Sequence, residues 1–539
     1  MLNEFRLVYP PNYDVNKEKK MDNYDFIKSL QIDELVVLVR ESYLGIRNIS
    51  LEEYFTTDTA VLQYRLDIVE DLVENPKVYN MFCEALTVIR NIQDLSRALG
   101  SDFTVESALS SIRYLEMYQE IIKLFADNMT SVTFKSEGMQ LLQKYIMEIK
   151  DSEDYINLCT ELSKMEIQFG SIKSISVGIN LDENLRVKNA GVISVETTHY
   201  REGNIMDKLL KKNSKENHVL MTEYTAVTRS LPKEEIIALN NATTSALQNI
   251  FAKSIRNFEP LTQRYFRENT TFFINLLDDI RFLTAGVKFI MSMKALGLDM
   301  CKPQVRPINE KKCDLEKVYN PVLAQKTLEH AVVSNSFTFD EKGRFYIVTG
   351  PNHGGKSIFA YSIGMTQALF QLGLFVPANS AIMSPVSNIY THFPASDENN
   401  YGKGRLESEC ARLGAIMEKL KSTDLLLMDE SFSSTSGLEA SYIASEVLTG
   451  IGAIGCGGIY VTHIHDLPQQ VEKYNSHPQN KGKIDNLVAL MENKEDGIRS
   501  YKISRTTPDG LSYAKDIAAR YGLHLDGILG KSENANGLN

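Results

Sequence analysis

Residues 349–357 read TGPNHGGKS, and the apolar run FYIV stands directly before them. A strand running into such a loop, with a helix following, is the pattern of a phosphate-binding turn. The glycines let the backbone curl until successive N–H groups face a β-phosphate, and a helix starting near Ser357 adds its positive end. Lys356 is then placed to reach the β- and γ-phosphates, and the Ser357 hydroxyl to ligate Mg²⁺. The expected ligand is a nucleoside triphosphate held by Gly350, Pro351, Asn352, His353, Gly354, Gly355, Lys356 and Ser357.

Two further apolar runs end in polar residues downstream. LLLMDE, residues 425–430, reads as a buried strand that delivers Asp429 to magnesium and Glu430 to the attacking water, which it would orient and deprotonate. YVTHIHDL, residues 460–467, is a third strand end, where His463, or else His465, would sense the γ-phosphate through a hydrogen bond. A metal pair of His463 and His465 with Asp466 is the other reading of that segment, but no further His or Cys lies near to complete a zinc set. Helical stretches at 357–372, 406–420 and 438–451 separate these strands, which is the grammar of a mostly parallel sheet with its ligand site at the carboxyl ends.

Upstream the chain is different in kind. To about residue 150 it reads as helices, one through Val78, Phe82, Leu86 and Ile89, and another through Val105, Leu109, Ile112, Leu115, Tyr118 and Ile122. From residue 171 short β-branched runs broken by Gly178, Asp182, Asn189 and Gly191 predict a few strands ending near Glu196. DKLLKKNSKENH follows, with Lys208, Lys211, Lys212 and Lys215 clustered; a solvated helix end and a nucleic-acid-facing tip are both open for it. Helical patterning resumes over 232–298, where Phe272, Leu276, Ile280, Leu283, Val287 and Ile290 recur at near-heptad spacing. Pro303, Pro307 and Pro321 then mark the passage into the strand-and-helix region.

A chain of 539 residues is too long for one hydrophobic core. Its hydrophobic content of 43% and charged content of 24% describe a globular protein. The six cysteines are scattered and read as reduced thiols, and no basic-then-apolar leader or membrane-length apolar stretch is present, so the expected location is the cytoplasm. A net charge of −11 weighs against a large nucleic-acid surface but leaves room for a local basic patch.

These motifs together resemble the MutS family of DNA mismatch-recognition ATPases. The resemblance is carried by TGPNHGGKS, VPA from Val376, LLLMDESFSSTSGLEA from Leu425, YVTHIHDL and the closing YKISRTTPDGLSYAKDIAARYGL. Asn335, in VVSNSFTF, matches a position the family keeps near the nucleotide. Looser likeness extends to ISLEEYFTTDTAVLQYRLDIVEDLVENP from Ile49 and to NLLDDIRFLTAGVKF. The resemblance implies a multidomain chain: a mainly helical lever and clamp region followed by an α/β P-loop NTPase domain of ABC-ATPase type. The implied divisions are a helical core over 1–155, a clamp-like insertion over 156–235, returning lever helices over 236–310, and an ATPase domain with a C-terminal dimerisation segment over 311–539. It further implies ATP and Mg²⁺ as cofactors, a homodimer joined through the ATPase domains, and DNA as the partner gripped by the clamp. The alternative is an ATP-dependent structural or signalling protein whose lever arms bind a protein.

Departures from the family pattern sharpen this expectation. The helical core begins within the first 50 residues, leaving no room for the family's mismatch-reading domain, with its Phe-x-Glu wedge, or for its connector. Nor is there room after Gly530 for an appended nuclease-like domain. Where the family has Ser-Thr-Phe ahead of a Glu, this chain has Gly404, Arg405 and Leu406 ahead of Glu409. The loop after Glu430 is SFSSTS, keeping Thr435 and Ser436 but not a glycine-rich turn. Gly404, Arg405, Glu409, Thr435 and Ser436 are thus the candidates for trans-acting or interface contacts, with Arg405 either replacing the lost serine by a charge-assisted bond or pairing with a carboxylate. Val332 stands where the family places an aromatic residue against adenine.

Overall fold

The computed structural model describes residues 5–18, 20–38, 49–98, 105–165, 173–184, 187–197, 201–202, 219–220, 270–327, 332–394, 404–493 and 498–507. The lysines at 208, 211, 212 and 215, most of the predicted helical stretch before residue 270, and the closing segment after residue 507 lie outside these residues. The chain divides into two compact units, one formed within Met1–Leu7, Lys77–Phe134 and Met139–Ile280, the other within Val8–Pro76, Lys135–Gly138 and Arg281–Asn539. A largely helical N-terminal region is followed by a mixed α/β region. Among the described residues no helix is long and apolar enough to cross a membrane.

The helices of the N-terminal region are α1 (Thr59–Glu74), α2 (Pro76–Ala98), α3 (Val105–Met129), α4 (Glu137–Lys150), α5 (Glu153–Met165) and α6 (Thr270–Ala295). In α2 the buried positions are Val78, Met81, Phe82, Ala85, Ile89 and Ile92, the three-and-four spacing of one helical face. Leu86, expected on that face, is only half-buried, and its neighbour Ala85 is buried instead. In α3 the buried stripe runs through Ile112, Leu115, Tyr118, Ile122, Phe125 and Met129. Aromatic rings knit the first unit together: Phe82 meets Phe125 at 5.9 Å, and Phe125 meets Phe273 of α6 at 5.9 Å. The fully buried Asp279 is compensated by an ion pair with Arg6 at 2.6 Å and by the Leu7 N–H at 2.8 Å.

Strands β1 (Ser174–Leu181) and β2 (Val187–Glu196) form an antiparallel hairpin with two register shifts, ending where the β-branched runs predicted. Its exposed apolar side chains include Val177, Ile179, Leu181 and Ile193.

In the second unit, β3 (Gln304–Val305), β4 (Cys313–Val318), β5 (Asn335–Thr338) and β7 (Ser380–Met383) make a four-stranded sheet in the order β3-β7-β4-β5. The larger sheet contains β6 (Phe345–Thr349), β8 (Ile389–His392), β9 (Leu425–Asp429), β10 (Gly457–Val461), β11 (Ile484–Asn493) and β12 (Ile498–Ser504). Its order is β8-β9-β10-β6-β11-β12, parallel throughout except for the antiparallel β12. All five residues of β6, β9 and β10 are buried, as expected of parallel strands covered on both faces. Helices α7 (Pro321–Lys326), α8 (Lys356–Gln371), α9 (Arg405–Met417) and α10 (Gly437–Ile454) lie between these strands. The last three match the predicted helices within a few residues at each end. Helix α8 is buried on nearly every side, and Gly364 brings it so close to Leu427 of β9 that a Cβ there would collide.

Candidate functional site

Because β6, β9 and β10 are neighbours and run parallel, the chain segments that leave their carboxyl ends gather along one rim of the sheet. Thr349 ends β6 and the loop 350–355 follows, with Gly355 as the cap of α8. Gly350 has φ +130° and lies against Ala489, and Gly355 has φ +85°, so both positions demand a residue without a Cβ. His353 adopts φ +59° between them. The curl predicted from the glycines is therefore present in the backbone.

Lys356 is the first residue of α8, and its side chain folds back so that Nζ donates to the carbonyls of Gly350 at 3.1 Å and Pro351 at 2.9 Å. Burial lowers its ammonium below the ordinary lysine value, while Glu430 and Asp429 pull the other way. The Ser357 hydroxyl donates to Asp429 Oδ1 at 2.9 Å, and the Tyr361 hydroxyl to Asp429 Oδ2 at 3.1 Å. Burial pushes the Asp429 carboxyl up, and these two hydrogen bonds offset part of that rise. Glu430, at φ +46°, is hydrogen-bonded to His463, whose Nε2 lies 2.9 Å from Oε1. Both side chains are partly exposed. A cavity of about 450 Å³ is lined by Asn352, His353, Gly354, Gly355, Lys356, Ser357, Ile358, Glu430 and His463.

Other predicted residues lie elsewhere. Asn335 spends its amide on β12, donating to the Tyr501 carbonyl at 3.2 Å and accepting from the Ile503 N–H at 2.8 Å. Gly404 and Arg405 stand exposed at the start of α9, with Gly404 as its cap. Glu409 turns inward within the same chain, accepting the Phe432 N–H at 2.9 Å. Thr435 and Ser436 both donate to the carboxylate of Glu439, and Ser436 caps α10. His465 is exposed.

Three residues escaped the sequence reading. Tyr361 lies one helical turn after Ser357, so its approach to Asp429 follows from the i, i+4 rule once the helix is accepted. Arg499 of β12 donates to the Asn352 carbonyl at 3.1 Å, a contact that depends on sheet order. His392 sits behind Glu430 at the end of β8, bonded to Ser431.

Residues 346–523 match MutS domain V, the family's ATPase domain, and residues 57–296 match the MutS2 N-terminal domain. The chain carries two MutS-family domains. Over 224 residues it is 32% identical to the DNA mismatch repair protein MutS of Prochlorococcus marinus (strain MIT 9312), covering 40% of this chain and 23% of that protein. It is 23% identical over 521 residues to the MutS protein of Halothermothrix orenii, covering 88% and 54% respectively. Against the DNA mismatch repair protein MSH2 of Saccharomyces cerevisiae the identity is 22% over 466 residues, covering 77% and 47%. The matches thus span about half or less of these relatives' own length.

Proposed function

We propose that this chain binds and hydrolyses ATP and that the cycle closes a homodimeric clamp on DNA in repair or recombination. The observation that carries the reading is the convergence of Lys356, Ser357, Glu430 and His463 on one cavity at the carboxyl ends of β6, β9 and β10. In this reading the N–H groups of residues 350–355 and the start of α8 receive the β-phosphate, and Lys356 exchanges its bonds to loop carbonyls for bonds to the β- and γ-phosphates. The donor set also suits magnesium: a carboxylate and a hydroxyl, both hard oxygens, stand 2.9 Å apart at Asp429 and Ser357. Magnesium held there would neutralise charge on the phosphate oxygens.

Glu430 takes the proton of the attacking water as its oxygen bonds to the γ-phosphorus and the bond to the β,γ-bridging oxygen breaks. His463 orients Glu430 and reaches the γ-phosphate. Gly404, Arg405, Thr435 and Ser436 are assigned to the partner-facing edge of the ATPase domain, and Lys208, Lys211, Lys212 and Lys215 to phosphate contacts at the clamp tip.

The test is DNA affinity across a salt series, with and without ATP, for the wild type and for the triple change Lys208→Glu, Lys211→Glu, Lys212→Glu. Binding should fall steeply with salt, and the triple variant should bind more weakly while hydrolysing ATP at nearly the wild-type rate. Absence of DNA binding in every condition sinks the clamp. Glu430→Gln should trap ATP; partners that co-purify with it and survive nuclease treatment would favour a protein as the gripped molecule.

A further inference from the structure

Immediately after Glu430 the chain makes a turn that its own backbone does not favour. Glu430 and Phe432 both hold positive φ, +46° and +67°, without being glycine, and such residues persist only where their surroundings hold them. The turn is buried at Ser431 and Phe432 and is tied from several elements. The Glu430 N–H donates to the Val461 carbonyl at 2.9 Å, and the Tyr460 hydroxyl of β10 donates to the Ser431 carbonyl at 3.0 Å. From α9, the Glu409 carboxylate accepts the Phe432 N–H at 2.9 Å. From the end of β8, His392 Nδ1 lies 2.7 Å from Ser431 Oγ, while its Nε2 lies 3.2 Å from the Glu409 carbonyl.

A carbonyl only accepts, so the proton of a neutral His392 ring sits on Nε2 and is donated to Glu409; Nδ1 then accepts from the Ser431 hydroxyl. Burial keeps the ring neutral, lowering it to about 4. Glu409 therefore acts twice, through its carbonyl on His392 and through its carboxylate on Phe432. One residue of α9 thus holds the segment that follows Glu430 twice, directly at Phe432 and through His392 at Ser431.

We propose that Glu409 and His392 form a latch on the turn 430–432, so that the position of α9 sets the position of the Glu430 carboxylate for hydrolysis. The inference rests on the reading of Glu430 as the water activator. Glu409 and His392 are positioning residues: neither lines the cavity, and they act on it through the backbone that carries Glu430. Since α9 opens with Gly404 and Arg405, the latch gives that exposed end of the helix a mechanical route to the reacting group.

The experiment compares the full-length chain with Glu409→Ala, Glu409→Gln, Ser431→Ala, Glu430→Gln and the pair Glu409→Ala with Glu430→Gln. Single-turnover ATP hydrolysis, affinity for a fluorescent ATP analogue and melting temperature are read for each. Glu409→Ala should slow hydrolysis about tenfold or more, because a misplacement of about 1 Å costs up to a hundredfold, with affinity held within about twofold. Glu409→Gln keeps an acceptor for the Phe432 N–H and should recover most of the loss. Ser431→Ala, a small change at a buried site, should give a loss of several-fold and guards against an unfolded alanine variant at 409. On the Glu430→Gln background, Glu409→Ala should add nothing.

Equal losses for Ala and Gln at 409 would mean that the charge acts directly, and would overturn the latch. So would losses that track affinity or melting temperature, or a Glu409→Ala effect that persists in full without Glu430. If Glu430→Gln alone hydrolyses normally, the water-activator reading fails; if it is inactive while Glu409→Ala is normal, only the latch fails.

Discussion

In the helices between Pro76 and Met165, buried positions recur every three or four residues and are almost all apolar, with Val78, Phe82, Ile89, Leu115, Phe125 and Leu142 among them. At the sheet rim of the α/β unit the buried set includes a group of polar residues: Thr349, Lys356, His392, Asp429, Ser431 and Thr462. Each of these follows or ends a strand, and most have named hydrogen-bond partners within the same rim. The first region is specified by volume, which many side chains can supply. The second is specified by bond direction at fixed places, which few can. Damage to the first should therefore appear in stability, and damage to the second in ligand binding and turnover.

The largest test of this contrast is Phe125→Ala. Phe125 is fully buried and touches both Phe82 and Phe273, so the cavity left behind should cost about 3–5 kcal/mol of stability. Denaturant unfolding measures it, and a nucleotide titration on the same protein should stay within about twofold of wild type while the protein remains folded. A matching fall in nucleotide affinity would break the separation between the two regions.

Lys356→Ala makes the opposite prediction. It should lower nucleotide affinity by about 2–3 kcal/mol, roughly 30- to 150-fold, the scale of hydrogen bonds to a charged group. Its effect on stability should be nil or favourable, because Lys356 is buried, with 6% of the residue exposed, and burial already lowers its pKa. Isothermal titration together with thermal unfolding separates the two effects. A variant that loses stability in proportion to affinity would mean that Lys356 is part of the core.

How much of this was legible beforehand depended on distance along the chain. The strand, glycine turn and helix around residues 345–371 were readable because they are consecutive, so one window of residues contains all three. Asp429 and Glu430 were readable because an apolar run that ends in acids announces a strand end. The helix α2 stripe was readable from period alone, apart from the exchange of Leu86 for Ala85. The companions of the site were not. His392 meets Ser431 because β8 lies beside β9, and Arg499 meets Asn352 because the antiparallel β12 returns beside β11. Neither neighbour relation is written in a local pattern. Glu409 became a candidate interface residue only through the resemblance, as the Glu that follows the family's Ser-Thr-Phe; α9 carries Gly404 and Arg405 at its exposed start and Glu409 one turn further in, where it accepts the Phe432 N–H.

The smallest expected effect tests the finest distinction, between a residue that fills space beside the site and one that tunes it. Tyr361 does both: its ring packs at 4.4 Å against Phe393, and its hydroxyl donates to Asp429 at 3.1 Å. Burial and the neighbouring Asp429 hold the phenol well above its usual pKa, so it remains a donor across the working range. Tyr361→Phe keeps the ring and removes the bond, which should cost about 1 kcal/mol. The sign of the pH effect follows from Asp429, whose pKa burial raises and whose hydrogen bonds from Ser357 and Tyr361 lower it. Losing one of those bonds leaves the ionised carboxylate less well stabilised and moves its pKa further up. If ionised Asp429 holds the metal, the acid limb of the ATP hydrolysis profile should shift to higher pH, and more Mg²⁺ should be needed for half-maximal rate. Rates above neutrality should change little. An unmoved acid limb, with an unchanged magnesium requirement, would reduce Tyr361 to packing and place it with the volume-specified residues of the helical region.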